Sequence, residues 1–346
     1  MHNLARNPTL LKVMSTVFTN SSANLSANYV GRFAPSPTGP LHFGSLVAAV
    51  ASYCDAKASF YNNQPGKWLI RIEDVDKPRE MVGAADVILH TLEAFGFEWD
   101  GEDNNKILYQ SQRSDIYEHY LTNLKLNGFI YACTCSRKEI ADSAITSGID
   151  GAIYPKTCFN KSLKNSTSEK YSSESRIDTG SWRINVDNAQ KITFKDAIQG
   201  DISQQLTTDV GDFILKRKDG LFAYQLAVVV DDAAQNVTHV VRGADLLDST
   251  PRQIYLQQLL GFSTLKYAHV PVAVNVQGEK LSKQTLADEV RPEAASVLVF
   301  EALQFLGQQP PAEIKNATLA EVWRWAIANW QLENVPKNRS LFKNQP

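Results

Sequence analysis

The sequence predicts an α/β fold whose core is split by an inserted α+β subdomain and followed by a short helical region. Three observations support this: strand-like and helix-like segments alternate near the start, the alternation stops at a cysteine-containing stretch, and it returns further along the chain. Such alternation is typical of parallel sheets whose ligands lie beyond the carboxyl ends of the strands. With 346 residues, 43% of them hydrophobic, the chain can bury such a core.

The first half of the core is predicted over residues 29–115. Residues 29–33 predict a strand, and the apolar run "KWLIRIED" from Lys67 indicates a buried parallel strand that ends in acids. Residues 45–60 predict a helix whose apolar face is formed by Leu46, Val47, Val50 and Cys54. A second helix, ending near Gly96, is predicted by apolar residues at helical spacing, namely Met81, Ala85, Ile88, Leu92 and Phe95.

The pattern changes after a predicted helix at 114–127. Residues 116–201 are assigned to the inserted subdomain, with a mobile serine-rich insertion at 159–178 that has almost no apolar residue. Residues 202–290 form the second half of the core, with a turn at Asp219-Gly220, a strand in "VTHVVR" and a helix at 250–260. Helices at 294–306 and 319–330 are predicted in the C-terminal region, 291–346, and residues 1–28 are interpreted as a disordered extension.

Composition excludes some classes of protein. Lys and Arg number 35 against 37 Asp and Glu, a net charge of −2, so any contact with RNA must use a local basic patch. No apolar run approaches the roughly 18 to 20 residues that cross a bilayer. Residues 1–28 carry only Arg6 and Lys12 as basic residues, too few to favour a transit peptide. We expect a cytoplasmic, monomeric protein.

The stretch "GRFAPSPTGPLHFGS" at residues 31–45 predicts a tight bend between a strand and a helix. Unpaired N–H groups at a helix N-terminus, together with the positive end of its dipole, make a phosphate-sized anion site. His42 and Ser45 flank Gly44 there, and a side chain on Gly44 would obstruct a base or ribose lying on the backbone. The alternative is an ordinary tight turn with a capping serine.

A second loop, "GEKLSKQ" at residues 278–284, carries two lysines three residues apart around a serine. A flexible loop of this kind can bring ammonium groups to a polyphosphate. Taken alone it is equally compatible with a solvated surface loop.

Together the two loops carry a family resemblance. "PSPTGPLHFGS" resembles the His-x-Gly-His signature of class I aminoacyl-tRNA synthetases, and "KLSKQ" resembles their Lys-Met-Ser-Lys-Ser loop. The ordered blocks "GRFAPSPTGPLHFGSL", "RIEDVDKPRE", "AYQLAVVVDD", "VVRGADLL" and "KLSK" are similar to glutamyl-tRNA synthetases, and within them to the truncated glutamyl-Q subfamily. Ser45 stands in place of the second histidine of the signature and Gln284 in place of the final serine.

The resemblance implies a Rossmann-like core that forms glutamyl-adenylate from L-glutamate and ATP carried with Mg²⁺. It assigns catalysis to His42 and Lys283 and ATP binding to His42, Gly44, Ser45, Lys280, Ser282 and Lys283. The glutamate pocket it implies consists of Arg32, Ala34, Ser36, Glu73, Tyr224 and Arg242. The alternative for Arg32 is a simple ion pair with Glu73 or Asp74 between adjacent strands.

Three of the four cysteines lie close together in the sequence. Cys133, Cys135 and Cys158, with Tyr154, could complete a closed tetrahedral Zn²⁺ site of structural type, and the resembled subfamily has a zinc site with this pattern. The alternative is three unrelated reduced cysteines and a packing tyrosine. Cys54, on a helix face, is interpreted as a packing residue.

Only 62 residues follow the second loop, so we expect no separate anticodon-binding domain. This favours the truncated subfamily, whose members by resemblance transfer glutamate to queuosine in the anticodon loop of tRNA(Asp). Two alternatives remain: a shortened glutamyl-tRNA synthetase that charges the 3′ end of tRNA(Glu), and a catalytically inactive paralogue that binds RNA.

Overall fold

The computed structural model describes residues 29–61, 64–101, 107–165, 180–281 and 289–343. The predicted extension at 1–28 lies outside these ranges, as does the greater part of the predicted serine-rich insertion.

The strands are β1 (Val30–Phe33), β2 (Phe60–Tyr61), β3 (Gln64–Pro65), β4 (Lys67–Ile72), β5 (Leu108–Tyr109), β6 (Ile130–Cys133), β7 (Ser147–Gly148), β8 (Gly151–Ala152), β9 (Ser181–Ile184), β10 (Ile192–Asp196), β11 (Gly200–Gln204), β12 (Ile214–Lys216), β13 (His239–Gly243), β14 (Lys266–Val270), β15 (Val272–Val274) and β16 (Ser340–Phe342). The α-helices are α1 (Phe43–Ala58), α2 (Ala84–Ala94), α3 (Ser114–Leu126), α4 (Arg137–Ser143), α5 (Thr157–Asn165), α6 (Leu206–Asp209), α7 (Tyr224–Ala234), α8 (Thr250–Leu260), α9 (Ala295–Phe305) and α10 (Leu319–Asn329).

Parallel strands form the centre of the molecule, as the alternating pattern predicts. β1, β4 and β5 pair in parallel, and β13, β14 and β10 form a second parallel set that β11 extends in the antiparallel sense. The two sets adjoin, because the Thr238 N–H just before β13 donates to the Val30 carbonyl at 2.9 Å. Their carboxyl ends therefore meet at one edge.

The predicted helices are confirmed to within one or two residues at most ends. α1 begins two residues before its predicted start, and its four predicted apolar residues are all buried. The α2 prediction was wrong at Met81, which is 54% exposed and precedes the helix. Gly83, with φ 78°, departs from the helical backbone conformation between Met81 and Ala84, so the helix begins only at Ala84.

β6, β9 and β12 form a small antiparallel sheet, and α4 and α5 lie between β6 and β9 in sequence. β10 falls inside the range predicted for the inserted subdomain, yet it pairs with β14 in the central sheet. The exact domain boundaries remain a prediction. Among the described residues, no helix is both long and apolar enough to cross a membrane.

The C-terminal helices α9 and α10 pack against α1. The Trp323 ring of α10 lies 4.9 Å from the Tyr53 ring of α1, and its indole N–H donates to the Phe95 carbonyl at 2.8 Å. These contacts fix the outer face of the helix whose N-terminus borders the cavity described next.

Candidate active site

A cavity of about 460 Å³ opens beyond the carboxyl ends of β1, β4 and β13. Both halves of the chain line it, as expected for the ligand crevice of such a sheet. The predicted site residues that line it are Arg32, Ala34, Ser36, His42, Gly44, Ser45, Glu73, Tyr224, Arg242 and Lys280. The predicted residues Ser282, Lys283 and Gln284 lie outside the described residues.

Arg242 leaves β13 at this edge and is only 5% exposed. Within the part of the chain that the structure describes, its guanidinium forms no ion pair. Its hydrogen bonds go to uncharged acceptors, which are His269 Nε2 (3.0 Å), Tyr224 Oη (3.0 Å), Thr250 Oγ1 (2.9 Å), Gln253 Oε1 (2.8 Å) and the Leu246 carbonyl (3.4 Å). The cavity wall therefore carries a buried positive charge that no described carboxylate neutralises.

His269, on β14, is uncharged in this arrangement. An arginine Nε–H can only donate, so His269 Nε2 accepts, and its Nδ1–H donates to Asp196 Oδ2 at 2.6 Å. Burial lowers the pKa of His269 to about 4, which favours the neutral imidazole. Burial likewise raises the pKa of Tyr224, so its hydroxyl stays protonated beside Arg242.

Arg32 differs from Arg242 because it forms an ion pair with a carboxylate of the protein. Its Nε lies 3.2 Å from Asp232 Oδ1, and Arg71 Nη2 lies 2.7 Å from the same oxygen. The alternative that Arg32 pairs with Glu73 or Asp74 is therefore wrong. Asp74 instead accepts from the backbone N–H and hydroxyl of Ser111.

Glu73 follows β4 and faces the cavity with its carboxylate 3.3 Å from Arg71 Nη2. Burial raises its pKa, and the nearby arginines oppose that shift. For Asp232 burial also acts upward, but Arg32 and Arg71 outweigh it and hold the pKa below its ordinary value. Another part of the site thus carries a compact network of alternating charges, formed by Arg32, Arg71, Glu73 and Asp232.

His42 immediately precedes α1 and acts as its N-cap. Its Nδ1 accepts from the Ser45 backbone N–H at 3.3 Å, and its Nε2 lies 3.1 Å from the Ser45 hydroxyl. The capping residue is therefore the histidine, not the serine of the tight-turn alternative. A Cβ on Gly44 would lie 3.2 Å from His42 Cε1 and 3.4 Å from the Leu281 carbonyl, so the absent side chain also makes room for the protein's own groups.

Lys280 reaches the same cavity from the second loop and forms an ion pair with Asp245, which follows β13. The base of this loop is fixed by the Leu281 N–H, which donates to the Ala273 carbonyl of β15 at 2.8 Å. β15 in turn pairs in parallel with β16. The two loops that the sequence analysis paired are therefore adjacent in space.

The three predicted cysteine ligands converge away from this cavity. The sulfur atoms of Cys133, Cys135 and Cys158 all lie within 4.8 Å of one another. Tyr154 Oη lies 3.3 Å from Cys133 Sγ and 3.6 Å from Cys135 Sγ. A tetrahedral ion with Zn–S bonds of about 2.3 Å separates its sulfur ligands by about 3.8 Å, so the cluster fits such an ion with little rearrangement.

A family model described as "tRNA synthetases class I (E and Q), catalytic domain" matches residues 29–317. The chain belongs to this class I tRNA synthetase family. Relatives named glutamyl-Q tRNA(Asp) synthetase from Dechloromonas aromatica and Neisseria gonorrhoeae are 53% and 49% identical to it. The matches cover 92% and 90% of this chain, and 99% and 98% of those proteins.

A crystal structure of a glutamate-tRNA synthetase from Elizabethkingia anophelis has a TM-score of 0.69 to this chain. The match covers 92% of this chain and 68% of that protein at 23% identity, and it shows the shared fold. The class I synthetase fold expected from the two sequence motifs is thereby confirmed.

Sequence reasoning missed several residues that shape this class I synthetase site. Asp232 holds Arg32, and Asp196 and His269 support Arg242. A signal existed for two of them, because Asp232 ends the apolar run "VVVDD" and His269 interrupts the apolar strand "YAHV". Ionisable residues inside such runs are buried and need partners, which is the clue that they serve neighbouring polar groups.

Proposed function

We propose that this protein activates L-glutamate with ATP and transfers the glutamyl group to queuosine in the anticodon loop of tRNA(Asp). The observation that carries the glutamate assignment is Arg242, whose buried charge has no carboxylate partner among the described residues. A buried unpaired cation is costly unless a ligand supplies the anion. An amino acid with a carboxylate side chain does so.

The rest of the cavity suits the other groups of glutamate. The side-chain carboxylate would bind Arg242 beside Tyr224, and the ammonium group would face the Glu73 carboxylate. Arg32, Ala34 and Ser36 complete this wall. Glutamine would leave Arg242 without its anion, and a mismatch of this kind discriminates strongly because it strands a buried polar group.

ATP would lie against the N-terminus of α1, with His42, Gly44 and Ser45 at its phosphates and ribose. Lys280 of the second loop lines the same cavity, and we assign Ser282 and Lys283 to the same function of phosphate binding. Mg²⁺ would accompany the ATP and neutralise part of its phosphate charge.

The reaction needs no covalent enzyme intermediate. An oxygen of the α-carboxylate attacks the α-phosphorus of ATP, the bond to the pyrophosphate oxygen breaks, and glutamyl-adenylate and pyrophosphate result. The protein's contribution is to align the two substrates and to stabilise charge on the transferring phosphate through His42 and the loop lysines. A carboxylate is already a nucleophile, so no general base is required.

The acceptor assignment is supported by the relatives' names. A second cavity of about 470 Å³ shares Glu73 and Tyr224 with the first and is also lined by Arg79 and Arg217, which both form ion pairs with Asp76. We propose that the acceptor nucleotide reaches the adenylate through this cavity, since arginines there can bind phosphate oxygens. Queuosine itself rests on the relatives and not on a contact in the cavity.

We further propose that Cys133, Cys135, Tyr154 and Cys158 bind one structural Zn²⁺ within an inserted subdomain. Thiolates suit zinc, and four protein ligands leave no open position for catalysis. We place the enzyme in the cytoplasm as a monomer, with ATP, glutamate and tRNA(Asp) as its partners.

The experiment that tests this function is transfer of radiolabelled glutamate to tRNA(Asp) with and without queuosine. A third substrate, queuosine-containing tRNA(Asp) without its 3′-terminal adenosine, separates the two acceptor sites. Labelling of the first and third but not of the queuosine-free tRNA supports the proposal. Labelling of tRNA(Glu) that depends on its 3′ end would instead establish a shortened glutamyl-tRNA synthetase.

A further inference from the structure

We infer that Asp196 and His269 are positioning residues that hold Arg242 in the orientation needed to bind an acidic side chain. This inference rests on the proposed activation of glutamate. Neither residue is among those that line the cavity of about 460 Å³. Both act through Arg242, and both side chains are fully buried behind it.

The chain of hydrogen bonds has a fixed direction. Arg242 Nε–H donates to His269 Nε2 at 3.0 Å, and His269 Nδ1–H donates to Asp196 Oδ2 at 2.6 Å. The other oxygen of Asp196 accepts the backbone N–H groups of Ile198, Gln199 and His269 at 2.9 to 3.1 Å. The carboxylate is thus anchored by the backbone and selects one imidazole tautomer.

The tautomer of His269 determines whether its Nε2 can accept the hydrogen bond from Arg242 Nε–H. With the proton on Nδ1, the Nε2 lone pair accepts from Arg242 and fixes one edge of the guanidinium. Thr250 and Gln253 fix Nη2, which leaves Nη1, the donor to Tyr224 Oη, as the edge that would bind the acidic side chain. With the proton on Nε2, two donors would face each other and the guanidinium would have to turn away.

The group that contacts Arg242 Nε–H is the uncharged imidazole of His269. A carboxylate in the position of His269 would pair with Arg242, as Asp232 pairs with Arg32, and would compete with the substrate for Arg242. An imidazole that is kept neutral orients the guanidinium and leaves its charge for the ligand. Asp196 orients the imidazole ring of His269, and this ring separates the Asp196 carboxylate from Arg242.

Asp196→Asn is the most direct test because it is nearly isosteric. The Asn carbonyl can still accept the three backbone N–H groups, but its amide cannot accept from His269 Nδ1–H, so the ring takes the other tautomer. We expect the KM for glutamate in ATP–pyrophosphate exchange to rise about tenfold to a hundredfold, with the KM for ATP unchanged. The preference for glutamate over glutamine should fall in parallel.

A second pair of variants tests the same point from the histidine. His269→Ala removes the acceptor and should show the full defect, whereas His269→Gln keeps a carbonyl that can accept from Arg242 and should recover most of the affinity. A merely structural role would not separate Ala from Gln in the KM for glutamate. If Asp196→Asn fails to fold by circular dichroism, this pair carries the test.

Gln199→Ala is the matched control. Its side-chain amide donates to the His269 carbonyl at 2.9 Å but has no link to the imidazole. The inference is overturned if Asp196→Asn changes the glutamate KM no more than Gln199→Ala does, if the KM values for ATP and glutamate rise together, or if His269→Gln is as defective as His269→Ala. Wild-type enzyme without glutamate-dependent exchange would overturn the proposed function as well, which distinguishes the two failures.

Discussion

Arg242→Met removes the buried charge on which the glutamate assignment depends and keeps much of the side-chain volume. Loss of one partner from a buried ion pair costs about 3–5 kcal/mol, and the bound substrate would be the other partner here. At about 1.4 kcal/mol for each tenfold change, kcat/KM for glutamate should fall between about a hundredfold and a few thousandfold. Arg242→Lys keeps the charge but not the planar fork, so its defect should be smaller.

The assay is ATP–pyrophosphate exchange with glutamate and with glutamine as the amino acid. Arg242→Met should lose the preference for glutamate, while its thermal unfolding temperature reports the cost of leaving His269 and Gln253 without their donor. Arg339→Met is the control, because Arg339 is exposed and pairs only with Asp248 among the described residues. Arg242→Met with a kcat/KM within about fivefold of wild type would refute the assignment.

Three further predictions concern other parts of the molecule. Cys135→Ser should lower the zinc content, measured by mass spectrometry of the purified protein, and reduce thermal stability; unchanged, stoichiometric metal would contradict the cluster as its site. Gly44→Ala should raise the KM for ATP about tenfold through crowding of His42, with a change in unfolding free energy below about 1 kcal/mol. An unaltered KM for ATP would count against that role. Because the pKa of Asp232 lies below its ordinary 3.8 in the folded protein, its ion pairs stabilise the fold above that pH, and this contribution is lost as the pH falls through the folded pKa. Asp232→Asn should therefore unfold at lower urea concentration near neutral pH yet show a shallower loss of stability in acid, and an unchanged acid profile would contradict the coupling.

Helix and strand positions could be predicted because buried apolar residues recur in the sequence at the spacing of a helix or form the apolar run of a buried strand. α8 was predicted at its observed bounds, and β4 was identified from the unbroken apolar run of a strand covered on both faces. The prediction for Met81 was wrong for a local reason. Met81 fits the helical spacing of apolar residues, but the positive φ of Gly83 delays the start of the helix to Ala84. Periodicity alone does not report where a backbone leaves the helical conformation.

The site residues fall into two groups for a similar reason. His42, Gly44 and Arg242 stand in motifs that are contiguous in sequence, so the motifs reveal them. Asp196 and His269 are separated by 72 intervening residues and meet only because β10 pairs with β14. The alternative that Arg32 pairs with Glu73 or Asp74 was wrong because it considered only the adjacent strands β1 and β4, whereas α7 brings Asp232 to Arg32 from 200 positions away.

The most direct test of the central claim is ATP–pyrophosphate exchange by the wild-type protein, measured with each of the twenty amino acids in turn. A cavity that joins the proposed ATP site to a buried arginine without a carboxylate partner among the described residues predicts exchange with L-glutamate and little or none with glutamine. Exchange that is equal for glutamine and glutamate, or absent with every amino acid, would contradict the account.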